Sequence, residues 1–352
     1  MVGLNYYVVT TNNFLTNMNK ASIKTRLITA LLSVTTATCF AQQDIQFSQY
    51  MFNPLVLNTA YAGYRGESYV NFMYRKQWVD LKGAPETFAA SVEWLMPNQD
   101  ERVAWSAKVL SDKLGPQKTT SAFLGYTYRV PLDEYGARRL CFGLSGGVTQ
   151  YSVDGNAFQY VDNNDDLVPV GVSSKVTPDF NAGVYYYTPK FYFSAGVNNL
   201  LAVKAINSQY NWQGTRFETM EKRIHGYFGS GLIIPLSDAF KFRPSFLWKE
   251  DFNGPSNFDF NAYILIKDIV GVGATYRTGL NIWDKPAVAS GLDKKDAYSF
   301  MFELYAIQHF RIGYAYDVTT SKLASYENGT HEISIGIGLP AKDKRVLSPR
   351  YF

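Results

Sequence analysis

A metal or acid–base centre would draw first on the three histidines, His225, His309 and His331. Each stands singly in a segment of strand character. A zinc site needs ligands that converge at short, recurrent spacings, and none of the three has such a partner, so structural or solvent-facing roles are expected. Gly271-Val272-Gly273 could open a phosphate-binding turn, but it lies within a strand pattern and lacks both a third glycine and a following helix. Asp162, Asn164, Asp165 and Asp166 approximate a calcium loop, except that Leu167 stands where the tight turn requires glycine. Asn328-Gly329 reads as a hairpin tip. Nothing assembles a nucleophile with a base and an oxyanion site. The expectation is a non-enzymatic chain with no catalytic, cofactor-binding or metal-ligating residue.

The informative polar residues are charges set on one face of strands. Arg75, Glu93, Lys108, Arg129, Arg139, Lys241, Arg243, Glu303 and Arg311 alternate with apolar neighbours at a period of two. Phe88, Ala90, Val92 and Trp94 oppose Ser91 and Glu93; Leu124, Tyr126, Tyr128 and Val130 oppose Thr127 and Arg129. Near the C-terminus Ile333, Ile335, Ile337 and Leu339 oppose Glu332, Ser334, Gly336 and Gly338. About fourteen such strands lie between residues 68 and 340, most of them about 9 to 12 residues long, which suits a tilted membrane strand. The fold expected is all-β: a transmembrane antiparallel β-barrel of about 14 strands, its apolar face on outer-membrane lipid and its charges in the lumen. A soluble sandwich or propeller would also alternate, but the strand length and the aromatic run on the apolar face argue against it.

The connections agree with this reading. Even-numbered strands close at Met96-Pro97, Val130-Pro131, Thr188-Pro189, Ile234-Pro235 and Leu339-Pro340, whereas long loops are expected near 152–179, 198–223, 279–296 and 319–329. Short periplasmic turns and longer extracellular loops are the pattern of outer-membrane barrels. Glycines 143, 147, 229, 231, 271, 273, 336 and 338 fall on the inward face, where they would let another backbone approach.

Residues 1–41 read as an N-terminal extension and signal peptide with a working start at Met18. Lys20, Lys24 and Arg26 form the basic region, Leu27 to Val34 the apolar core, and Cys39-Phe40-Ala41 the cleavage site. The chain holds two cysteines, so export with cleavage would leave Cys141 alone and exclude a disulfide-stapled scaffold. A net charge of +4 does not argue for nucleic acid. Aromatic residues at 16% and 27 glycines suit strands that alternate apolar and polar faces.

Between the signal and the first strand lies QFSQYMFNPLVLNTAYAG, residues 46–63, apolar but without strand or helix period. It falls in a segment assigned to 42–67 and is expected to pack in the lumen or across its periplasmic mouth, with 68–340 as barrel and 341–352 as a periplasmic tail. The stretch resembles the N-terminal signature of the PorP/SprF family of outer-membrane proteins, through Gln46, Phe47, Ser48, Tyr50, Asn53, Pro54, Asn58, Ala60 and Gly63. Thr59 stands where the family usually has proline. The resemblance recurs at NNLL (198–201), YDVTTSKLASYENGTHEI (316–333) and SPRYF (348–352). It implies a component of type IX secretion and gliding machinery, without cofactor. It further implies contact with secreted proteins bearing C-terminal sorting domains, such as adhesins, and with periplasmic ring or peptidoglycan-linked components. The alternative from another class is a passive diffusion porin, which an inserted N-terminal segment would obstruct.

Overall fold

The computed structural model describes residues 45–96, 101–157, 171–201, 208–212, 215–220, 223–252, 254–280, 282, 285, 295–307 and 309–339. The segments read as an export signal at 1–41, an acidic cluster at 162–166 and a tail at 341–352 lie outside the described residues. Seventeen strands are found among them: β1 (Ser68–Lys76), β2 (Glu86–Leu95), β3 (Val103–Leu114), β4 (Gln117–Pro131), β5 (Arg139–Asp154), β6 (Val172–Tyr187), β7 (Phe191–Asn198), β8 (Ser208–Trp212), β9 (Thr215–Met220), β10 (His225–Leu232), β11 (Ile234–Pro235), β12 (Phe240–Glu250), β13 (Ser256–Ile266), β14 (Val270–Leu280), β15 (Lys295–Ile307), β16 (Phe310–Thr319) and β17 (Thr330–Leu339).

Fourteen of these, β1–β7, β10 and β12–β17, pair with sequence neighbours in one antiparallel sheet. That sheet is a closed ring: β1 bonds both β2 and β17, and β10 bonds both β7 and β12. Closure leaves none of the fourteen with an unpaired edge, which is what permits strands in hydrocarbon. Strand β11 is a two-residue addition to β12, and β8 with β9 forms a separate hairpin between β7 and β10.

The two faces follow from the period of two. On β4, Leu124, Tyr126 and Tyr128 are exposed while Thr127 and Arg129 are buried. Phe300 and Phe302 likewise point outward from β15, with Ser299, Met301 and Glu303 inside. Charged substitution on the outer face therefore carries a large penalty. Leu124, near the middle of β4 and 66% exposed, is the test position. Leu124→Arg is expected to cost about 2–4 kcal/mol in denaturant unfolding from lipid vesicles. A loss near zero would show that this face does not meet lipid.

The short links β2–β3, β4–β5, β6–β7, β10–β12, β13–β14 and β15–β16 share one end with the start of β1 and the end of β17. The opposite end carries the long excursions, including the β8–β9 hairpin, and also a tight β3–β4 turn at 115–116. One loop is shorter than the sequence suggests. Strand β5 runs to Asp154 and β6 starts at Val172, their ladder continuing through Ser152↔Ser174 and Asp154↔Val172. This outer stretch has mixed exposure instead of a clean lipid face, so its sequence loses the alternation that marks the membrane part although the hydrogen bonds persist.

Candidate functional site in the barrel lumen

Residues 46–63 form three single 3₁₀ turns, Tyr50–Phe52, Pro54–Val56 and Thr59–Tyr61. Asn-centred breaks explain the pattern. Pro54 supplies a preset φ at the first position of the second turn. Asn58 caps the third, its Oδ1 accepting from the Ala60 N–H at 2.9 Å. Thr59 opens that turn, and its Oγ1 lies 3.0 Å from Ser145 Oγ on β5. The hydroxyl thus makes a wall contact that proline could not.

An irregular segment leaves many backbone groups without ladder partners, and buried groups must find others. Here the wall side chains provide them. Asn71 Nδ2 donates to the Phe52 carbonyl at 2.8 Å, Lys108 Nζ to Val56 at 3.0 Å, and Thr127 Oγ1 to Thr59 at 2.8 Å. Carboxylates receive the amides: Ser48 and Gln49 N–H donate to Glu332 at 2.9 and 2.8 Å, and Gly63 N–H to Glu93 at 2.6 Å. Asn58 Nδ2 reaches the Val184 carbonyl at 2.9 Å and Ser194 Oγ at 2.8 Å. Partners from β1, β3, β4, β6, β7 and β17 can surround one segment only if it lies inside the ring. It enters among Lys249, Glu250 and Asn257 at the long-loop end, near Ile45, and leaves beside Glu93 at the short-turn end. The segment therefore traverses the lumen instead of only covering the periplasmic mouth.

Close approach falls on particular glycines. A side chain at Gly143 would collide with the Thr59–Ala60 backbone, one at Gly183 with Asn58, one at Gly196 with Leu57 and Asn58, and one at Gly125 with Thr59. Of the eight glycines singled out in the sequence, only Gly143 receives the segment. Tyr263 lies over Gly271 and Gly273, Tyr69 over Gly336, Glu67 beside Gly338, Tyr192 over Gly231 and Phe123 over Gly147, while Gly229 faces the β12 backbone and Leu247. Most of these glycines make room for neighbouring strands' side chains, so parity alone could not say which of them faces the segment. Gly63 itself has φ +81°, and a side chain there would collide with Leu95 and Ala104.

The other signature residues take specific places. Phe47, Tyr50, Met51 and Phe52 pack with Met73, Tyr227, Leu247, Tyr263 and Met301. Asn261 Nδ2 donates to the Tyr50 hydroxyl, and Ser91 Oγ donates to Asn53 Oδ1 at 3.0 Å. Gln46 is half-buried at the long-loop end; Pro54 is half-buried and Ala60 fully buried.

The inward charges form two groups. Near the long-loop end Arg75 spans Asp317 at 2.7 Å and Glu332 at 2.8 Å. Arg277 bonds Asp259 at 3.0 Å and approaches Asp317 at 3.8 Å, and Lys249 meets Asp259 at 3.0 Å. Ser48 Oγ is the hub: it donates to Asp317 at 2.6 Å and accepts from Arg75 at 2.9 Å. Three cations thus balance three carboxylates around one serine.

The second group lies toward the short turns. Arg129 donates to Tyr187 Oη at 2.8 Å and the Glu101 carbonyl at 2.9 Å, Arg139 to the Gly136 carbonyl at 3.0 Å, and Arg65 sits 3.8 Å from Glu93. Glu303 accepts from Tyr263 Oη at 2.5 Å with Arg243 at 4.0 Å, and Arg311 stacks over Phe52 at 4.6 Å. Lys241 instead pairs with Asp268 in the β13–β14 turn, at the rim. Sequence reading missed Asp259, Arg277 and Asp317. Arg277 shares its strand parity with Gly271 and Asp317 shares its own with Arg311, a signal that could have found both, whereas Asp259 is placed by its pairing with Arg277 across the β13–β14 ladder.

The pattern described as the type IX secretion system membrane protein PorP/SprF matches residues 39–337, most of the chain. The chain belongs to the PorP/SprF family. No curated protein matches it in sequence. Among solved structures, the Acinetobacter baumannii outer membrane protein Omp33 is similar at 8% identity, over 78% of this chain and 98% of Omp33, with a TM-score of 0.43. The CymD monoaromatic hydrocarbon channel is similar at 11% identity, over 84% of this chain and 94% of CymD, with a TM-score of 0.47. Family membership and the closed fourteen-stranded sheet together make this PorP/SprF-family chain a membrane barrel of the type IX secretion context.

Disulfide trapping tests the position of the family signature. Paired cysteines at Asn58 and Ser194, whose side chains touch at 2.8 Å, are expected to crosslink readily in membranes. Absence of that crosslink in a folded barrel would remove the segment from the β7 wall.

Proposed function

We propose that this protein serves type IX secretion as a closed outer-membrane anchor, not as a solute channel or an enzyme. Its long-loop end would hold a secreted protein through a C-terminal sorting domain, an adhesin being the favoured cargo. Its turn end would contact periplasmic ring or peptidoglycan-linked components. The observation that supports this most is the segment at 46–63, anchored to strands on opposite sides of the lumen. A filled, internally bonded barrel is a rigid platform, and recognition then falls to the loops it carries. Cleavage of a signal peptide before Gln42 belongs to the same reading.

The test is co-purification of a tagged copy from native outer membrane after in-cell crosslinking, together with bilayer conductance of the pure protein. Recovery of a secreted surface protein or periplasmic secretion components, with no stable open channel, is the expected result. Recovery of the barrel alone, with steady conductance, would overturn the proposal in favour of a diffusion porin.

A further inference from the structure

The outward face of the sheet changes character in steps up the β3–β4 ladder toward the long-loop end. Val109 pairs with Ala122, Ser111 with Thr120, and Lys113 with Lys118, each pair two residues beyond the last and all on one face. Val109 is exposed among the lipid-facing residues, the Ser111 and Thr120 hydroxyls lie 3.5 Å apart, and both lysines are exposed. Apolar, hydroxyl and cationic levels in that order match hydrocarbon, interface and headgroup. Four residues of strand separate the first level from the third, roughly 13 Å, and less along the membrane normal because barrel strands tilt.

Lys113 and Lys118 stand directly opposite each other, an arrangement in which like charges repel. Among the described residues no carboxylate comes within ion-pair distance of either amine. Glu86, beside Lys113 in the β2–β3 ladder, lies 3.8 Å from Lys76 instead. The turn that carries the pair is held in place, since the Gly115 N–H donates to the Gly83 carbonyl at 2.9 Å, and this contact brings a third exposed lysine, Lys82, to the same turn. We infer that Lys113 and Lys118 bind the phosphate of a membrane lipid in the leaflet at the long-loop end, its chains lying on Val109, Ala122 and, on β5, Val148. Lysine ammoniums hold phosphate as point charges, and a phosphate between two of them replaces their repulsion by attraction. A soluble anion carries the same charge, but the apolar residues directly below the pair favour one that bears acyl chains. The inference does not depend on which protein the barrel serves in secretion.

Native mass spectrometry of the full protein, released from neutral detergent, tests this with phosphatidic acid, phosphatidylcholine of the same chains, and inorganic phosphate. Phosphatidic acid is expected to bind tighter than phosphatidylcholine by roughly tenfold or more, an effect of the size that two surface lysines supply. Lys113→Gln combined with Lys118→Gln should remove that preference, whereas Lys190→Gln, in the β6–β7 turn at the opposite end, should keep it. Since neither amine at 113 or 118 holds another of the described residues, heat-shifted gel migration should show the double variant folded. A photoreactive acyl chain on phosphatidic acid reports position without any substitution: it should label Val109, Ala122 or Val148 ahead of Phe260, which faces outward from β13 across the ring. Equal binding of the two lipids, a preference that survives the double substitution, displacement by inorganic phosphate at the lipid's own concentration, or equal labelling at Phe260 overturns the inference.

Discussion

Arg75→Met is expected to destabilise the folded barrel by about 3–5 kcal/mol, the cost of stranding buried carboxylates without their cation. Arg75 is 1% exposed and bonds Asp317 and Glu332 at once. In its absence Asp317 keeps Arg277 at 3.8 Å, whereas Glu332 loses the cation that fixes it, and its grip on the Ser48 and Gln49 amides at the start of the segment weakens. The loss should therefore appear in denaturant unfolding and also as freer access of a maleimide to a cysteine placed at Ser48. Arg75→Lys retains the charge but not the fork that spans two acids, and should fall between. Combining Arg75→Met with Glu332→Gln removes cation and anion together, and should recover part of the loss. A loss below about 1 kcal/mol for Arg75→Met, the range of exposed pairs, would show the cluster to be solvated instead of buried.

Gly143→Val should unseat the lumen segment while the barrel survives. Valine suits a strand, so β5 itself tolerates the change. The added carbon, however, meets the backbone of Thr59 and Ala60, which a rotamer change cannot move. Overpacking of this kind costs about 1–3 kcal/mol or more, and the cheapest relief is displacement of the third turn. Bilayer conductance is the measurement: the unaltered protein should be closed, and the variant should open discrete channels. Leu144→Val on the adjacent lipid face is the control and should stay closed. A Gly143→Val barrel as closed as the parent would place the seal elsewhere than at residues 59–60.

Much of the barrel is legible in the residues because each strand carries its own instruction. On β17, Ile333, Ile335 and Leu339 face outward and Glu332 and Ser334 inward without reference to any other strand. Turn chemistry is equally local, as Thr188-Pro189 between β6 and β7 shows. The outer parts of β5 and β6 were less legible, since beyond the membrane neither face needs to be apolar and the ladder alone defines the strand.

By itself, then, the sequence determined the fourteen strands of the barrel, though not β8, β9 or β11, together with the sides on which Arg75, Glu93, Arg129 and Glu303 lie and the family through residues 46–63. Those properties follow from periodicity and local turn chemistry, which involve residues close together in the chain. Only the tertiary structure decided the partners: Glu332 with Ser48, Asn58 with Ser194, and Gly143 rather than Gly271 beneath the segment. Each of these joins positions far apart in the chain. Parity says that a side chain points inward, but it takes closure of the ring to say what it meets there.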